Sequence, residues 1–598
     1  MRHEDGPPVI ADYGLIGDGR SAALCSSAGS IDWLCLPRFD SDPVFGKLVG
    51  GERAGCFSIS IGDVVETERQ YRSGSAVLET TWRTPSGTAT LTEGMVLDLG
   101  GRLLPQALLV RRLSCTGAPA RARLFFDPRG GLSGDPFSVR REPGGLVCTR
   151  GGLALALQIS PETHVRPGEP AEVVVAPDRP LVVVMSMAHR QPLVVVRPEA
   201  ALRLLDDADR WWRGWTSGIG HTGPGADAVR RSLIVLRLLT YSPSGAPVAA
   251  PTTSLPEEVG GIRNWDYRYA WPRDASIGIA AFLATGLPDE AHSFLHWLLS
   301  ASRLTRPRLR VLYTLDGKQG PQEEEVPGAP GFGGSRPVRI GNGATSQHQL
   351  DVYGWVVDAA WAVVRSGGRL DGETWRTIAG FADFVAGRWR EPDAGIWEIR
   401  GKEDQHVHSK LMAWLALDRA VRISPGYRAR RPRIERWTRE RDALAIQIRR
   451  RGFDADLGSY VRAYGSRDLD AALLFLPSLE FDPPESDRVL GTIDAVRRSL
   501  SAGDPLIYRY RPGSDGLEGT EGAFLPCSFW LVQALALTGR REEARTLFED
   551  LCSRSNDLGL FAEEIDPVTG NQLGNFPQAL THAALIQAAL ALRDATGG

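Results

Sequence analysis

From about Ala226 onward the chain carries helical segments in unbroken succession, with no strand of comparable length between them. Apolar residues recurring at the helical period place twelve segments near 225–242, 273–287, 288–302, 346–366, 371–389, 407–422, 432–450, 467–476, 485–500, 525–538, 540–554 and 577–594. The punctuation agrees: Gly286 precedes Leu287-Pro288-Asp289-Glu290, a glycine stop followed by a proline start and first-turn acids. Twelve helices make six hairpins, which close into an (α/α)6 toroid or stack as an open solenoid. The absence of a fixed-period repeat disfavours the solenoid. A toroid also accommodates the unequal connections, with tight turns at one end and long Gly/Pro-rich loops such as 303–345 and 501–524 at the other.

The first 215 residues read differently. Short β-branched or alternating runs, such as Cys56–Ile61, Ala76–Trp82, Ala122–Phe126, Ala171–Val175 and Pro180–Met185, are separated by Gly, Pro and Asp. They predict an antiparallel β-sandwich, and Ala201–Trp215 predicts a connecting helix. The expected architecture is therefore multidomain β plus α: residues 1–215 as the sandwich with its connector, residues 216–598 as the helical toroid.

Composition excludes several partners. The net charge is −3, and the arginines are interspersed with acids, so neither nucleic acid nor an anionic membrane is an expected partner. No run approaches the roughly 20 apolar residues of a membrane span. Met1–Pro8 is polar and lacks a signal-peptide core. Seven cysteines without a CxxC pair predict reduced thiols and a cytoplasmic location. His406 and His408 have no third ligand at a convincing spacing, so no metal is expected. No cofactor is expected either, because GxGxxG, P-loop and GxSxG signatures are missing in a persuasive context. A homo-oligomer stays open.

Three loop segments ahead of helices carry chemistry. Asn264–Asp274 interleaves aromatics with Arg and Asp; rings cover the apolar faces of a sugar and charged forks hold its hydroxyls. In Pro392–Gly401, Glu398 follows Trp397, and a carboxyl desolvated against a ring keeps its proton as a general acid. Arg400 is a competing partner that would act the other way. In Leu560–Pro567, the adjacent Glu563 and Glu564 point in different directions, so at most one faces a cleft. Each segment alone also reads blandly, as a buried aromatic corner, ordinary surface or a solvated acidic loop. The run Glu323-Glu324-Glu325 reads as solvated. Together the three segments supply what glycoside hydrolysis by paired carboxylates needs, acting on a small saccharide.

With these residues in view, the chain resembles family 15 of the glycoside hydrolases, and within it the bacterial trehalase and glucoamylase-like branch. The resemblance runs nearly end to end. It is carried by Pro8–Asp18, Gly29–Arg38, Asn264–Asp274, Arg336–Ala344, Gly395–Gly401, Glu518–Gly522 and Gly574–Ala579. It implies a β-sandwich followed by an (α/α)6 barrel, with Glu398 as general acid and Glu563 as general base. It also implies that Arg273 and Asp274 hold the non-reducing glucose, with Trp271, Trp397 and Arg339 around them. The sequence departs from the pattern at Ala270 and Pro272, which bear on the wall of that subsite. The implied activity is inverting, exo-acting hydrolysis of an α-glucoside releasing β-glucose, with trehalose the first substrate to consider. Glucoamylase-type or isomaltose- and dextran-acting enzymes share these motifs. A disaccharide phosphorylase on the same toroid would not need Glu563, and a non-catalytic sugar-binding protein would lack the acid or the base.

Overall fold

A computed structural model describes residues 9–97, 104–427 and 431–594. Met1–Pro8, on which the signal-peptide reading rests, lies outside the described residues, as does the first residue of the Pro8–Asp18 motif. Among the described residues, no helix is long and apolar enough to cross a membrane.

Two antiparallel sheets form the N-terminal part. One has strands in the order Tyr13–Gly17, Ala22–Ser26, Ser30–Cys35, Phe57–Ile61, Ala120–Phe126 and Pro170–Val175, with Pro43–Phe45 on the side. The other runs Ser138–Glu142, Gly145–Arg150, Leu153–Ser160, Leu181–His189, Ala107–Gly117, Gly87–Met95, Leu78–Thr84 and Glu66–Tyr71. Alternation sets the facing: along Leu78–Thr84, Leu78, Thr80 and Trp82 are buried and their neighbours are not. Leu181–Ala188 is buried without alternation because both of its faces are covered. One faces the sandwich core, and Val182 and Val184 on the other meet Ala201 and Leu205 of the connecting helix Pro198–Thr216.

The helical part is a closed double ring. Pro272–Ala284, Asp351–Arg365, Val407–Ile423, Leu476–Leu479, Leu525–Leu537 and Ala579–Asp594 form the inner ring. Ala579–Asp594 packs on both Leu525–Leu537 and Pro272–Ala284, which closes the toroid and removes the open solenoid. The sequence reflects the two rings. Leu525–Ala536 is buried on nearly every side, whereas outer Arg541–Ser553 buries only Ala544, Leu547, Phe548 and Leu551, one stripe at helical spacing. The junction at Gly286 is as expected, with φ +87°. One segment differs from expectation. In place of a helix over 467–476 there is a 3-10 turn, Ala471–Phe475, running into the single turn Leu476–Leu479. Asp470 caps the turn through Ala472 N, Pro477 occupies the first turn, and the inner ring thins there.

The sandwich buttresses the loops at the mouth of the toroid. Trp33 Nε1 donates to Pro251 O at 2.7 Å, and Arg268 Nη1 donates to Ser41 O at 2.9 Å. Arg268 also makes a two-pronged pair with Asp266, at 2.9 and 2.7 Å, and both side chains are buried. Removing one partner leaves the other charge buried and unpaired. Arg268→Ala is therefore expected to lower unfolding free energy by about 3–5 kcal/mol, measured by urea denaturation. A loss under about 1 kcal/mol, the size expected of an exposed pair, would contradict this account.

Candidate active site

Short elements directly ahead of inner helices build one pocket at the mouth of the toroid, among them the hairpin Thr253–Pro256/Asn264–Asp266 with Tyr267–Trp271, the loop 392–401, the stretch 509–524 and the hairpin around Glu564. Trp271 precedes the helix Pro272–Ala284 and is its N-cap, so Arg273 and Asp274 fall in the first turn, where the helix dipole favours the aspartate. Arg273 Nε donates to Asp274 Oδ1 at 2.7 Å and Nη1 donates to Ile396 O at 3.1 Å. The pair faces the pocket as a preformed fork.

Glu398 also lines the pocket. Its backbone is left-handed, with φ +57°, a conformation costing about 1 kcal/mol or more in a residue other than glycine. Gln347 Nε2, donating to Glu398 O at 3.0 Å, helps hold the turn. The Glu398 carboxylate accepts from Trp271 Nε1 at 2.7 Å and lies 3.8 Å from Arg273 Nη1. Burial pushes its carboxyl above the usual range, opposed by the Arg273 charge and the Trp271 bond. Arg400, the competing partner, pairs with Glu323, with Nη1 at 2.9 Å from Oε1, and its charge opposes the upward shift of Glu398 only as a lesser influence. Glu323 is thus not simply solvated: it also lies 3.3 Å from Arg339 Nε, and its carboxyl is held low by these partners against the effect of burial. Glu324 and Glu325 are exposed, as read.

Glu563 and Glu564 are both buried, which overturns the bland reading of a solvated loop. Glu564 lies on a strand paired on both sides, and the two carboxylates diverge. Glu563 lines the pocket and accepts from Tyr267 OH at 2.6 Å. Glu564 accepts from Gly522 N at 2.8 Å, away from it. Burial and then the charge of Glu257 push the Glu563 carboxyl up, opposed by Arg509 and the Tyr267 bond. Gly574 makes room for it. A Cβ there would sit 2.7 Å from both Cβ and Oε2 of Glu563, and φ is +77°. Gly574→Ala is expected to cost about 1–3 kcal/mol by overpacking and to lower kcat more than the stability loss accounts for. Thermal unfolding and steady-state kinetics on the same preparation check this.

Of the remaining expected site residues, Trp271 and Trp397 line the pocket and Arg339 does not. Arg339 and Arg400 lie over the Trp265 ring, at 4.7 and 4.2 Å, and of the three Trp265 and Arg400 line the pocket. Trp397 is fixed by Asp470 Oδ1, which accepts from its Nε1 at 2.8 Å. His408 packs between Trp355 and Phe475 and, like His406, is held neutral by burial.

Sequence reasoning missed a buried charge network beside Glu563. Arg509 Nη2 lies 2.7, 3.2 and 3.3 Å from Glu521, Glu257 and Glu564, and Arg263 pairs with Asp515 at 2.8 Å. Glu257, Glu521 and Glu564 come together within a metal-sized cluster, but the Arg509 guanidinium already lies among them. The available signal was the hairpin: Gly260-Gly261 folds Glu257 back beside Trp265, whose Nε1 donates to it at 3.0 Å.

Comparison with known proteins bears on the family and the fold. The family described as "Glycosyl hydrolases family 15" matches residues 223–590, and that described as "Trehalase-like, N-terminal" matches residues 3–185. The chain is 34% identical to a trehalase of Thermoplasma volcanium, over 99% of this chain and 94% of the relative. It is also 34% identical to a trehalase of Mycobacterium tuberculosis, over 97% and 89%. A bacterial glucoamylase complexed with acarbose superposes with a TM-score of 0.71 at 13% identity, covering 100% of this chain and 97% of that one, and so shares the fold.

Proposed function

Because the chain belongs to family 15 of the glycosyl hydrolases and is an O-glycoside hydrolase, we propose that it hydrolyses α,α-trehalose with inversion, using Glu398 as acid and Glu563 as base. The trehalose assignment rests on curated trehalases that match it nearly end to end. The observation that carries the mechanism is the pairing of two carboxylates in one pocket, Glu398 half-buried and Glu563 buried, with different anchors, Trp271 for Glu398 and Tyr267 for Glu563. Inversion needs two carboxyls set apart, roughly 6.5–9.5 Å, with a water between one of them and the sugar. Anchoring of the two carboxylates by different partners on different segments supports that arrangement.

In this reading Arg273 and Asp274 hold the hydroxyls of the non-reducing glucose, and Trp271 and Trp397 wall its faces. Arg339 acts at one remove, through Trp265. Glu398 gives its proton to the bridging oxygen as the C–O bond breaks. Glu563 takes a proton from the water that attacks the anomeric carbon from the opposite side. Burial serves both: it keeps the acid protonated and strengthens the hydrogen bonds around the charge that develops. We also propose a division of the chain near residue 216. Seven unpaired cysteines support a reducing, cytoplasmic setting.

Rates on trehalose, maltose, isomaltose, maltoheptaose and dextran test the substrate. Trehalose is expected to have the highest kcat/KM. A clear preference for maltoheptaose or dextran would replace the trehalose reading with a polymer-trimming one.

A further inference from the structure

Glu257 is a third carboxylate in the pocket, and the proposed reaction leaves it without a task. Its placement is specific. It follows the strand Thr253–Pro256, its backbone N donates to Arg263 O at 3.1 Å, and its side chain is 2% exposed. Oε1 is held by Trp265 Nε1 at 3.0 Å, with Arg509 Nη2 at 3.2 Å. Oε2 has no hydrogen-bond partner among the described residues, and its nearest cation, Arg263 Nη1, is 3.7 Å away. Glu563 is arranged in a similar way: Oε1 is taken by Tyr267, the Asn575 backbone N–H faces the carboxylate, and Oε2 is buried without a well-formed hydrogen bond. The pocket therefore holds two fixed carboxylates, each with one committed oxygen and one whose hydrogen-bonding capacity is not filled.

Both carboxylates line the pocket and feel each other's charge; two acceptor oxygens with capacity to spare match the two O–H bonds of a single water, and a buried acceptor without a donor is costly. We propose that Glu257 and Glu563 together hold the attacking water, Glu563 removing its proton and Glu257 accepting the second O–H bond so that a lone pair faces the anomeric carbon. Resting on the hydrolase reading above, this adds a second residue to the water site. The balance is that of simple hydrolysis. One O–H bond of water breaks and its proton passes to Glu563, while the water oxygen bonds to the anomeric carbon. The glycosidic electron pair leaves on the bridging oxygen, which takes the proton of Glu398. Glu257 gains and loses nothing. Around the pair stand Tyr267, Arg509, Glu564 and the Asn575 backbone N–H toward Glu563, and Arg263, Arg509, Glu521 and Trp265 toward Glu257. The like charge of Glu257, whose own carboxyl is also pushed up by burial, is the first neighbour that pushes Glu563 up.

The test uses the full chain with Glu257→Gln and Glu257→Asp, assayed on trehalose and on α-glucosyl fluoride, whose leaving group needs neither an acid nor a second sugar site. Glu257→Gln is expected to lower kcat on both substrates by roughly 10–100-fold, the scale of a misplaced reactant, with KM little changed. It is also expected to move the acidic limb of kcat/KM on trehalose to lower pH, because the repelling charge is gone. Glu257→Asp keeps the charge but retracts it, so kcat falls and the limb stays. A residue acting only through the fold, at a distance from Glu563, would not move the limb. An unchanged kcat, a loss confined to trehalose, or a fallen kcat with an unmoved limb in Glu257→Gln would each overturn the proposal. A wild-type chain inactive on both substrates would instead overturn the hydrolase reading beneath it.

Discussion

Glu398→Gln is expected to lower kcat on trehalose by about 10²–10⁴-fold, the range ascribed to a positioned general acid. The substitution is nearly isosteric and keeps an acceptor for Trp271 Nε1, so KM should stay within a few-fold and the unfolding midpoint should barely move. The sharper signature is in the pH profile. The acid must be protonated, so activity is lost as pH rises through its pKa, which burial places above the usual carboxylate range. In Glu398→Gln that alkaline limb should disappear. α-Glucosyl fluoride, which departs without protonation, should be hydrolysed by the variant at a rate much closer to wild type. Equal losses on both substrates would mean that Glu398 is not the acid.

The second large effect is expected at Glu563. Glu563→Ala removes the proton acceptor for water and opens space at its position, and kcat should again fall by about 10²–10⁴-fold. Azide needs no base, so adding it should restore turnover of α-glucosyl fluoride and give the β-glucosyl azide. Glu564→Ala should not show that rescue, since its carboxylate is committed to Gly522 N and the Arg509 network. In the wild type the base must be ionised, so activity is lost as pH falls through its pKa. Burial and Glu257 raise that pKa, so the acidic limb should lie above the range of an exposed glutamate. An acidic limb near pH 4 would contradict the electrostatics described for this wall.

The scaffold was legible because each ring of the toroid writes a different pattern: apolar all round inside, one stripe outside. It failed only at Ala471–Leu479, where a capped 3-10 turn, buried throughout Ala471–Phe475, has no periodicity to read. At the site, local signals survived and distant ones did not. The Arg273–Asp274 fork is a neighbour pair at a helix start and can be read directly. The destination of Arg400 could not be read, because Glu323 lies 77 residues earlier and only folding of the 303–345 loop brings it near. Arg339 was assigned to the subsite wall but packs behind it, over Trp265. The choice of Glu563 over Glu564 came from motif resemblance. Its physical basis, a strand that splits the two directions and a glycine that clears the space, appears only in three dimensions.

The most direct test of inverting hydrolysis is the anomeric composition of the first glucose formed from trehalose, followed by proton NMR before mutarotation. Inversion turns the attacked residue into β-glucose, while the departing residue keeps its α configuration, so equal amounts of the two anomers are predicted at the earliest times. α-Glucose alone would show retention and contradict the roles proposed for Glu398 and Glu563.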